Sequence, residues 1–235
     1  MCHSELDSES KLVPIVPDGN AYNTTKGTHL FTGLIREIAT VKNFTGSQLC
    51  IKSSHKASLG DSIAINGACL SVTKLLNDGF CVELSPESQK VLAIQNYKNE
   101  VHVEPAMKMG DRFEGHIVQG HVDCVGEITN IKNLGNSYDV FVKVDKKYIA
   151  YIVPKGSITI DGVSLTVNDV NNDSFRLTII PITMKETLFK NYKKGSKVNV
   201  ETDMFARYVA HIISHQSKNT SSLSWGEVDA ISSSY

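Results

Sequence analysis

The chain has 235 residues, and its 24 Lys and Arg nearly balance its 25 Asp and Glu, so the formal net charge is −1. A charge so close to zero gives no overall field that would draw the protein to nucleic acid or to an anionic membrane, and it leaves small neutral ligands open. No apolar run reaches the roughly 18 residues that a membrane helix needs, and no basic-then-apolar start indicates a secretory signal, so we expect a cytoplasmic protein.

The five cysteines give no sign of a structural framework. They are odd in number, lie far apart and include no Cys-x-x-Cys pair, which disfavours both a disulfide scaffold and a zinc site. We therefore expect reduced thiols and no bound metal. The cysteines are Cys2, Cys50, Cys69, Cys81 and Cys124.

The predicted elements begin after a polar N-terminal stretch. Residues 1–29 show neither a helical nor a strand period, so we expect a disordered extension. From Leu30 the sequence changes to short alternating runs rich in Ile, Val and Thr, separated by Asn-Gly and Asp-Gly turn signals. This pattern is typical of small antiparallel barrels. The predicted strands of the first half cover residues 31–41, 47–53, 62–66, 69–75, 79–85 and 100–104.

The chain contains an internal repeat. Residues 61–86 recur as residues 156–181 without a gap, and 10 of the 26 aligned positions are identical. A long period that occurs only twice indicates two similar domains, because a solenoid needs at least about three short repeats to bury a continuous core.

Two further matches, with different offsets, extend the repeat in both directions. Residues 120–128 parallel residues 33–41, and residues 198–201 parallel residues 101–104. The changed offsets place the insertions in loops, as expected for a duplicated fold that has diverged. The sequence therefore predicts an all-β protein with two tandem homologous six-stranded antiparallel Greek-key β-barrels and a C-terminal α-helix. The predicted barrels cover residues 30–112 and 113–203.

The predicted helix follows the second barrel, over residues 204–216. Its apolar residues recur at intervals of three and four, which is the period of one helical face. A lone surface helix with such a stripe needs a partner, so we expect it to mediate oligomerisation. The Ser-rich residues 217–235 are expected to form a disordered tail. The stripe consists of Met204, Phe205, Tyr208, Val209, Ile212 and Ile213.

The repeat places two pairs of small polar residues at equivalent positions. Cys69 and Ser71 in the first copy match Ser164 and Thr166 in the second. Side chains at i and i+2 of a strand face the same side, so each pair can offer two polar groups to one ligand. The intervening residues are apolar, and the pattern alone leaves open whether the polar pairs or the apolar residues face the barrel core.

The remaining candidates are a histidine segment and two charged residues. Residues 115–121 contain His116 and His121, and a histidine can move protons near neutral pH. Their i, i+5 spacing matches no compact pair of metal ligands. Asp203 and Lys155 flank predicted strands, where surface charge is the default interpretation.

Taken together, the motifs resemble those of the riboflavin synthase family. Members of that family are trimeric enzymes, and each subunit has two lumazine-binding barrels and a C-terminal helix. The resemblance spans roughly residues 30–214. The motifs that carry it, in chain order, are residues 31–35, 66–73, 115–121, 161–167 and 198–203.

The resemblance implies a dismutation. Two molecules of 6,7-dimethyl-8-ribityllumazine would give riboflavin and 5-amino-6-(D-ribitylamino)uracil by transfer of four carbon atoms, with no cofactor or metal. It implies a homotrimer whose active sites lie between the first barrel of one subunit and the second barrel of its neighbour. Lumazine synthase, the enzyme that makes the substrate, is a further candidate partner.

The resemblance also implies roles for individual residues. It groups Phe31 and Ser71 with Cys69 in the first barrel, and it groups Lys155, Thr166 and His121 with Ser164 and Asp203 in the second. The expected catalytic residues are His121, Ser164, Asp203 and Cys69. The expected substrate-binding residues are Phe31, Thr32, Gly33, Ser71, Lys155, Thr166, Gly162 and Gly67.

Three questions stay open at the level of sequence. One is which barrel holds the donor molecule. The second concerns residues 1–29, because family members begin about one residue before the equivalent of Phe31; this segment is either an extension or lies upstream of the native start. The third is the class of protein, since a non-catalytic lumazine- or flavin-binding antenna protein, or a purely structural double barrel, would share the fold.

Overall fold

The structure is a computed structural model, and it describes residues 29–219. The predicted extension before residue 29 and the predicted tail from residue 220 lie outside the described residues. The described chain forms two closed antiparallel barrels followed by one helix. No helix in residues 29–219 is long and apolar enough to cross a membrane.

The first barrel has six strands, with the spatial order β1-β2-β5-β4-β3-β6, and it closes because β6 also pairs with β1. All of these pairings are antiparallel. The strands are β1 (Glu37–Thr45), β2 (Gln48–Lys52), β3 (Ser62–Ile65), β4 (Ala68–Leu76), β5 (Gly79–Glu83) and β6 (Glu100–Pro105).

The second barrel repeats the same arrangement, with the order β7-β8-β11-β10-β9-β12. The two orders are identical after a shift of six strands, so the predicted duplicated Greek-key fold is confirmed. The strands are β7 (Cys124–Asn133), β8 (Tyr138–Lys143), β9 (Ser157–Ile160), β10 (Val163–Val170), β11 (Ser174–Ile179) and β12 (Lys197–Thr202).

Short helices cover equivalent loops of the two barrels. α1 (Pro86–Val91) and α3 (Pro181–Glu186) both begin at the matched prolines of the repeat, where a missing backbone N–H is harmless. α2 (Lys146–Ile149) follows β8, and α4 (Met204–Asn219) follows β12. The helix α4 therefore ends at Asn219 instead of the predicted residue 216.

The first strand differs from the prediction. It was expected over residues 31–41, whereas β1 begins at Glu37. Phe31 instead forms an isolated bridge with Val118, in which its N–H donates to the Val118 carbonyl at 2.8 Å. Phe31 and Thr32 thus bond to residues 116–118 from the other half of the chain, and that partner cannot be recognised from local periodicity.

The prediction for the cysteines is wrong for one pair. Cys50 and Cys81 form a disulfide bond. They lie directly opposite each other in the register of β2 and β5, although they are 31 residues apart in sequence. Cys69 and Cys124 are free, and Cys2 lies outside the described residues.

Each barrel has its own apolar core, built from equivalent positions of the repeat. The buried residues of the first core include Ile63, Ile65 and Phe80, and their counterparts Ile158, Ile160 and Phe175 are buried in the second. Burial of such a side chain contributes roughly 1.5–3 kcal/mol. Five of the ten identical positions of the repeat, Ile63, Ile65, Leu70, Val72 and Phe80, thus lie in the first core.

The two barrels touch through their matched turns. Gly67 joins β3 to β4 and Gly162 joins β9 to β10, and both have positive φ, of +80° and +82°. A Cβ on Gly67 would lie 2.6 Å from the Gly162 nitrogen, and one on Gly162 would lie 2.9 Å from the Gly67 nitrogen. The two glycines are therefore required for the backbones of the barrels to meet.

A buried polar network also joins the barrels. His102 of the first barrel accepts the Leu188 N–H at Nε2 (2.7 Å), so its Nδ1 carries the proton and donates to the Asp161 carbonyl at 2.8 Å. In the other direction, the Asn199 amide donates to the Asn66 carbonyl at 2.8 Å. Burial lowers the pKa of His102 to about 4, because a charged imidazole would lose its hydration.

Candidate functional site

The polar pairs of the repeat face outward from the barrels. On β4 the side chains of Leu70 and Val72 lie in the core, whereas Cys69 is half-buried and Ser71 is exposed. The alternation left open by the sequence is thereby resolved in favour of an outer surface. We call the outer face at Cys69 and Ser71 the first surface.

The equivalent face of the second barrel has the same form. Ser164 is half-buried and Thr166 is exposed on β10, while Val167 is buried in the core. We call the outer face at Ser164 and Thr166 the second surface. The two surfaces are related by the duplication, so they present similar shapes with different polar atoms.

A glycine from a neighbouring segment lies on each surface. The Ser164 N–H donates to the Gly33 carbonyl at 2.8 Å, and the Cys69 N–H donates to the Gly120 carbonyl at 2.9 Å. A Cβ on either glycine would lie 2.6 Å from the Cβ of the residue it covers. Only glycine fits at these two contacts, and each forms a wall beside the adjacent polar side chain.

Phe31 is fully buried in a small cluster with Ala64 and Val118, against which Cys69 packs. Phe31 therefore lies next to the first surface. The placement of His121 differs from the expected grouping with Ser164. It directly follows Gly120, so its backbone lies beside Cys69 within one chain, and its side chain is exposed. The difference arises because the segments around Phe31 and Val118 pair with each other and cross between the barrels.

His116, not His121, contacts Ser164 in the structure. Its Nδ1 lies 2.8 Å from the Ser164 Oγ, and the ring is 8% exposed. Burial lowers the pKa of His116, and the negative charge of Asp203 partly opposes this. The imidazole is therefore neutral near pH 7, and it can exchange a proton with the serine hydroxyl. Sequence reasoning considered His116 only as part of residues 115–121 and did not select it.

Asp203 lies between β12 and α4. Its Oδ1 accepts the Phe205 N–H at 2.8 Å, as expected for a residue that caps the start of a helix. The negative charge of Asp203 raises the pKa of His116, so the two residues are electrostatically coupled. Lys155 is exposed and holds φ at +64°, with its N–H bonded to the Val167 carbonyl at 2.7 Å. Such backbone strain in a non-glycine residue is often found at functional sites.

The cysteine of the first surface is a neutral thiol at pH 7. Burial raises the pKa of Cys69, and the nearby Glu201 charge raises it further. A thiol in this state is a poor nucleophile, because the thiolate is the reactive form. Cys69 can therefore contribute packing and weak hydrogen bonding to a ligand.

Two buried carboxylates hold the glycine segments, and sequence reasoning did not select either of them. Glu104 accepts the Thr32 N–H and hydroxyl at 2.8 and 2.9 Å and the Gly33 N–H at 3.1 Å. Thr32 thus directs its hydroxyl to this carboxylate. In the second copy Glu201 accepts the Gln119 N–H at 2.8 Å. Both glutamates lie at the matched strand ends 104 and 201, which is the signal that could have found them.

A surface cavity of about 680 Å³ lies elsewhere, between α2 and the β10–β11 turn. None of the site residues lines it. Across residues 29–219, no group of three or more His, Cys, Asp and Glu side chains is arranged to hold a metal ion.

The fold and its paired outer surfaces define a class of protein with two lumazine-binding domains. A family model described as "Lumazine binding domain" matches residues 32–106 and 119–203. The fold is similar to that of LumP in its complex with riboflavin, with a TM-score of 0.68 and 20% identity over 74% of this chain and 99% of that one. It is also similar to LumP complexed with 6,7-dimethyl-8-(1'-D-ribityl) lumazine, with a TM-score of 0.65 and 21% identity over the same shares.

Similarity to curated proteins narrows the class. The chain is 39% identical over 194 residues to the riboflavin synthase of Photobacterium phosphoreum, which covers 78% of this chain and 89% of that protein. It is 38% identical over 199 residues to the riboflavin synthase of Bacillus subtilis (81% and 93%), and 35% identical over 195 residues to that of Schizosaccharomyces pombe (78% and 94%). The chain belongs to the riboflavin synthase family.

Proposed function

We propose that the protein converts two molecules of 6,7-dimethyl-8-ribityllumazine into riboflavin and 5-amino-6-(D-ribitylamino)uracil, the last step of riboflavin biosynthesis. The observation that carries this proposal is the paired surface. Equivalent strands of two equivalent barrels each present polar side chains at i and i+2 beside a covering glycine. A reaction between two copies of one molecule requires two similar cradles.

The reaction balances without another reagent. One substrate molecule gives up a four-carbon unit and becomes the pyrimidinedione, and the other accepts that unit and becomes riboflavin. The ring system of the substrate makes its C7 methyl group acidic, because it delocalises the carbanion. The protein therefore needs only to orient a weak base and to stabilise the charge that develops.

The second surface supplies the proton-transfer groups. The neutral His116 imidazole, 2.8 Å from the Ser164 Oγ, can accept the C7 methyl proton of the ligand by relay, in which the serine hydroxyl takes up the methyl proton and passes its own proton to the imidazole. The Asp203 carboxylate favours the imidazolium that would form. General acid–base catalysis of this kind contributes roughly 10²- to 10⁴-fold in rate.

The first surface has a binding role. Its neutral Cys69 thiol and the exposed Ser71 hydroxyl offer polar contacts without a strong base. The two surfaces are thus similar in shape and different in chemistry, which lets one ligand be activated while the other is held. Orientation of two reactants in this way can contribute about 7–11 kcal/mol.

The proposed assembly is a homotrimer, with each active site formed by the first surface of one subunit and the second surface of its neighbour. The apolar stripe on α4 supports an assembly, because its large side chains are more than half exposed in the single chain. These residues are Phe205 (58%), Tyr208 (54%), Val209 (55%), Ile212 (54%) and Ile213 (60%). A stripe of this size on a monomer marks an interaction surface.

Two further predictions concern the cell. The free thiols of Cys69 and Cys124 support a cytoplasmic location, whereas the Cys50–Cys81 disulfide bond argues against it, and fractionation of the native cell would decide. An association with lumazine synthase would deliver substrate directly. Co-purification of the two proteins from the native cell would support that association.

The antenna alternative is less well supported. The LumP structures share 20–21% identity with this chain, whereas the riboflavin synthases named above share 35–39%. The polar pair is present in both barrels, which favours two ligands per chain.

The direct test is turnover of the substrate alone. Purified protein is mixed with 6,7-dimethyl-8-ribityllumazine, without metal or nicotinamide, and the products are separated by chromatography. We expect riboflavin and the pyrimidinedione in equal amounts. Binding of the lumazine with no product would overturn the enzymatic proposal and favour the antenna protein.

A further inference from the structure

The loop of residues 119–123 shapes the first surface. It connects the Phe31–Val118 bridge to β7 and carries Gly120, whose carbonyl accepts the Cys69 N–H at 2.9 Å. A Cβ at Gly120 would lie 2.6 Å from the Cys69 Cβ, so no space separates the two. Because the contact is this tight, any displacement of the loop changes the space beside the Cys69 thiol. Whatever fixes the loop therefore fixes the first surface.

Arg207 of α4 bonds both ends of this loop. Its Nη2 donates to the Gln119 Oε1 at 2.6 Å, and its Nη1 donates to the Asp123 Oδ2 at 2.8 Å and to the Thr202 carbonyl at 3.0 Å. The guanidinium is planar, with donors in a rigid fork, so one side chain can hold two acceptors at a fixed separation. The side chains of Arg207 and Asp123 are only 20% and 17% exposed, so solvent screens this pair less than an open surface pair.

The equivalent loop of the first copy is held in a different way. Glu104 accepts three hydrogen bonds from Thr32 and Gly33, one of them from the Thr32 hydroxyl. In the second copy Gln119 replaces Thr32, so that hydroxyl is missing. The matched Glu201 accepts the Gln119 N–H, and its Oε2 has no hydrogen-bond partner among the described residues.

Within the barrel, the second loop is held by Glu201 and by Thr202, whose N–H and hydroxyl both donate to the Asp123 Oδ2 at 2.7 Å, and Arg207 adds a contact from outside the barrel. The first copy also has no counterpart of α4, because the chain after β6 continues as an irregular segment over residues 106–116. From the C-terminal helix, the guanidinium thus holds the Gln119 side chain, at the position where the first copy has the hydrogen bond of the Thr32 hydroxyl.

We propose that Arg207 is a positioning residue that holds Gln119 and Asp123, and thereby keeps Gly120 in the place that shapes the first surface for its ligand. The identity of that ligand as the lumazine rests on the proposed function. The same contacts link the helix with the apolar stripe to the binding surface of the other barrel.

The first test measures the loop itself. The rate at which iodoacetamide alkylates Cys69 is followed by peptide mass spectrometry in the wild-type protein and in Arg207→Ala. A released loop uncovers the thiol more often, so we expect the rate to rise roughly fivefold or more. Arg176→Ala is the matched control, because Arg176 also pairs with two carboxylates, is 25% exposed and contacts neither surface. It should leave the rate unchanged.

The second test separates positioning from folding and assembly. Arg207→Lys should give an intermediate alkylation rate, because one ammonium group can reach Gln119 or Asp123 but cannot reproduce the fork. Gln119→Ala removes one end of the clamp and leaves α4 intact, so it reports on the loop even if Arg207→Ala folds poorly. In steady-state assays we expect KM for the lumazine to rise about tenfold, with a smaller change in kcat.

The outcomes are distinct. Wild-type alkylation rates in both Arg207→Ala and Gln119→Ala would overturn the proposal, even if turnover fell, because the loss would then arise in the helix or the assembly. If the wild-type protein showed no turnover, the proposed function would fail, while the alkylation rates would still decide whether Arg207 holds the loop.

Discussion

The Ser164 Oγ lies 2.8 Å from the His116 Nδ1 at the second surface. The two residues are 48 positions apart in sequence, and the inter-barrel segment brings them together. No equivalent pair exists at the first surface among residues 29–219, where Cys69 occupies the position of Ser164. The duplicated barrels therefore differ at the atom that can take part in proton transfer.

Removal of the Ser164 hydroxyl should impair catalysis more than substrate binding. We expect Ser164→Ala to lower kcat roughly 10²-fold or more, because a group that acts in the transition state is lost. His116→Gln should have a similar effect, with a changed pH profile. Ser137→Ala, in the β7–β8 turn, serves as the control. Equal kcat values for all three variants would exclude a role for the pair.

The buried His102 predicts a pH-dependent contribution to stability. Its folded pKa of about 4 lies below the unfolded value near 6.5, so the unfolded state binds more protons as the pH falls. The contribution is complete above pH 6.5 and is lost as the pH falls toward 4. At pH 5 the loss is roughly 2 kcal/mol.

For two buried carboxyl groups, the contribution to folding stability changes with pH in the opposite direction to that of His102. Burial raises the pKa of Asp161 and of Glu201 to about 7, so each favours the folded state as the pH falls below 7. The His102 contribution is therefore isolated by comparison with His102→Gln. Urea unfolding should show the gap between wild-type and variant narrowing by roughly 2 kcal/mol from pH 7 to pH 5. A constant gap would contradict the neutral buried imidazole.

One methyl group added at the contact between the barrel turns should lower the free energy of unfolding substantially. In Gly67→Ala the new Cβ would lie 2.6 Å from the Gly162 nitrogen, in addition to the strain at φ +80°. Gly46→Ala isolates the strain, because Gly46 has φ +62° and no atom within 4 Å of the added Cβ. We expect the control to lose about 1 kcal/mol of unfolding free energy and Gly67→Ala to lose at least about 2 kcal/mol more. Similar losses of unfolding free energy for Gly67→Ala and Gly46→Ala, measured by denaturant unfolding, would show that the barrels can move apart easily.

If each active site lies between two subunits, two inactive variants that each block a different surface should restore activity when they assemble together. Ser71→Trp and Thr166→Trp each place a bulky ring at an exposed position of one surface, so each variant alone should be inactive. When they are co-expressed and purified through two tags, each mixed trimer contains one interface out of three that pairs two intact surfaces. We expect about a third of the wild-type activity. Mixed oligomers without activity would place the site within one subunit.

The duplicated fold could be predicted because the repeat preserves core residues at a constant offset. Ile63 and Ile158 are one such pair. Because both are buried, apolar residues alternate along the two matched strands, and this alternation could be recognised in the sequence together with the turn residues between the strands. The outward direction of Cys69 could not be predicted, because residues on both sides of the strand are small or apolar. Strand register was needed to decide it.

The features that sequence reasoning missed all depend on contacts between distant segments. The Cys50–Cys81 bond requires the register of β2 and β5, which an intervening hairpin hides. The contact between His116 and Ser164 requires the bridge between Phe31 and Val118, which sets the direction of the histidine segment. Local periodicity carries no information about either pairing.

The number of lumazine molecules bound per chain decides whether both surfaces are substrate sites. In Ser164→Ala, where slow turnover should preserve the substrate, equilibrium dialysis against saturating 6,7-dimethyl-8-ribityllumazine would count the occupied sites. The proposed dismutation predicts two molecules per chain, one on each surface. A single molecule per chain would contradict it, because a dismutation requires both cradles to be filled.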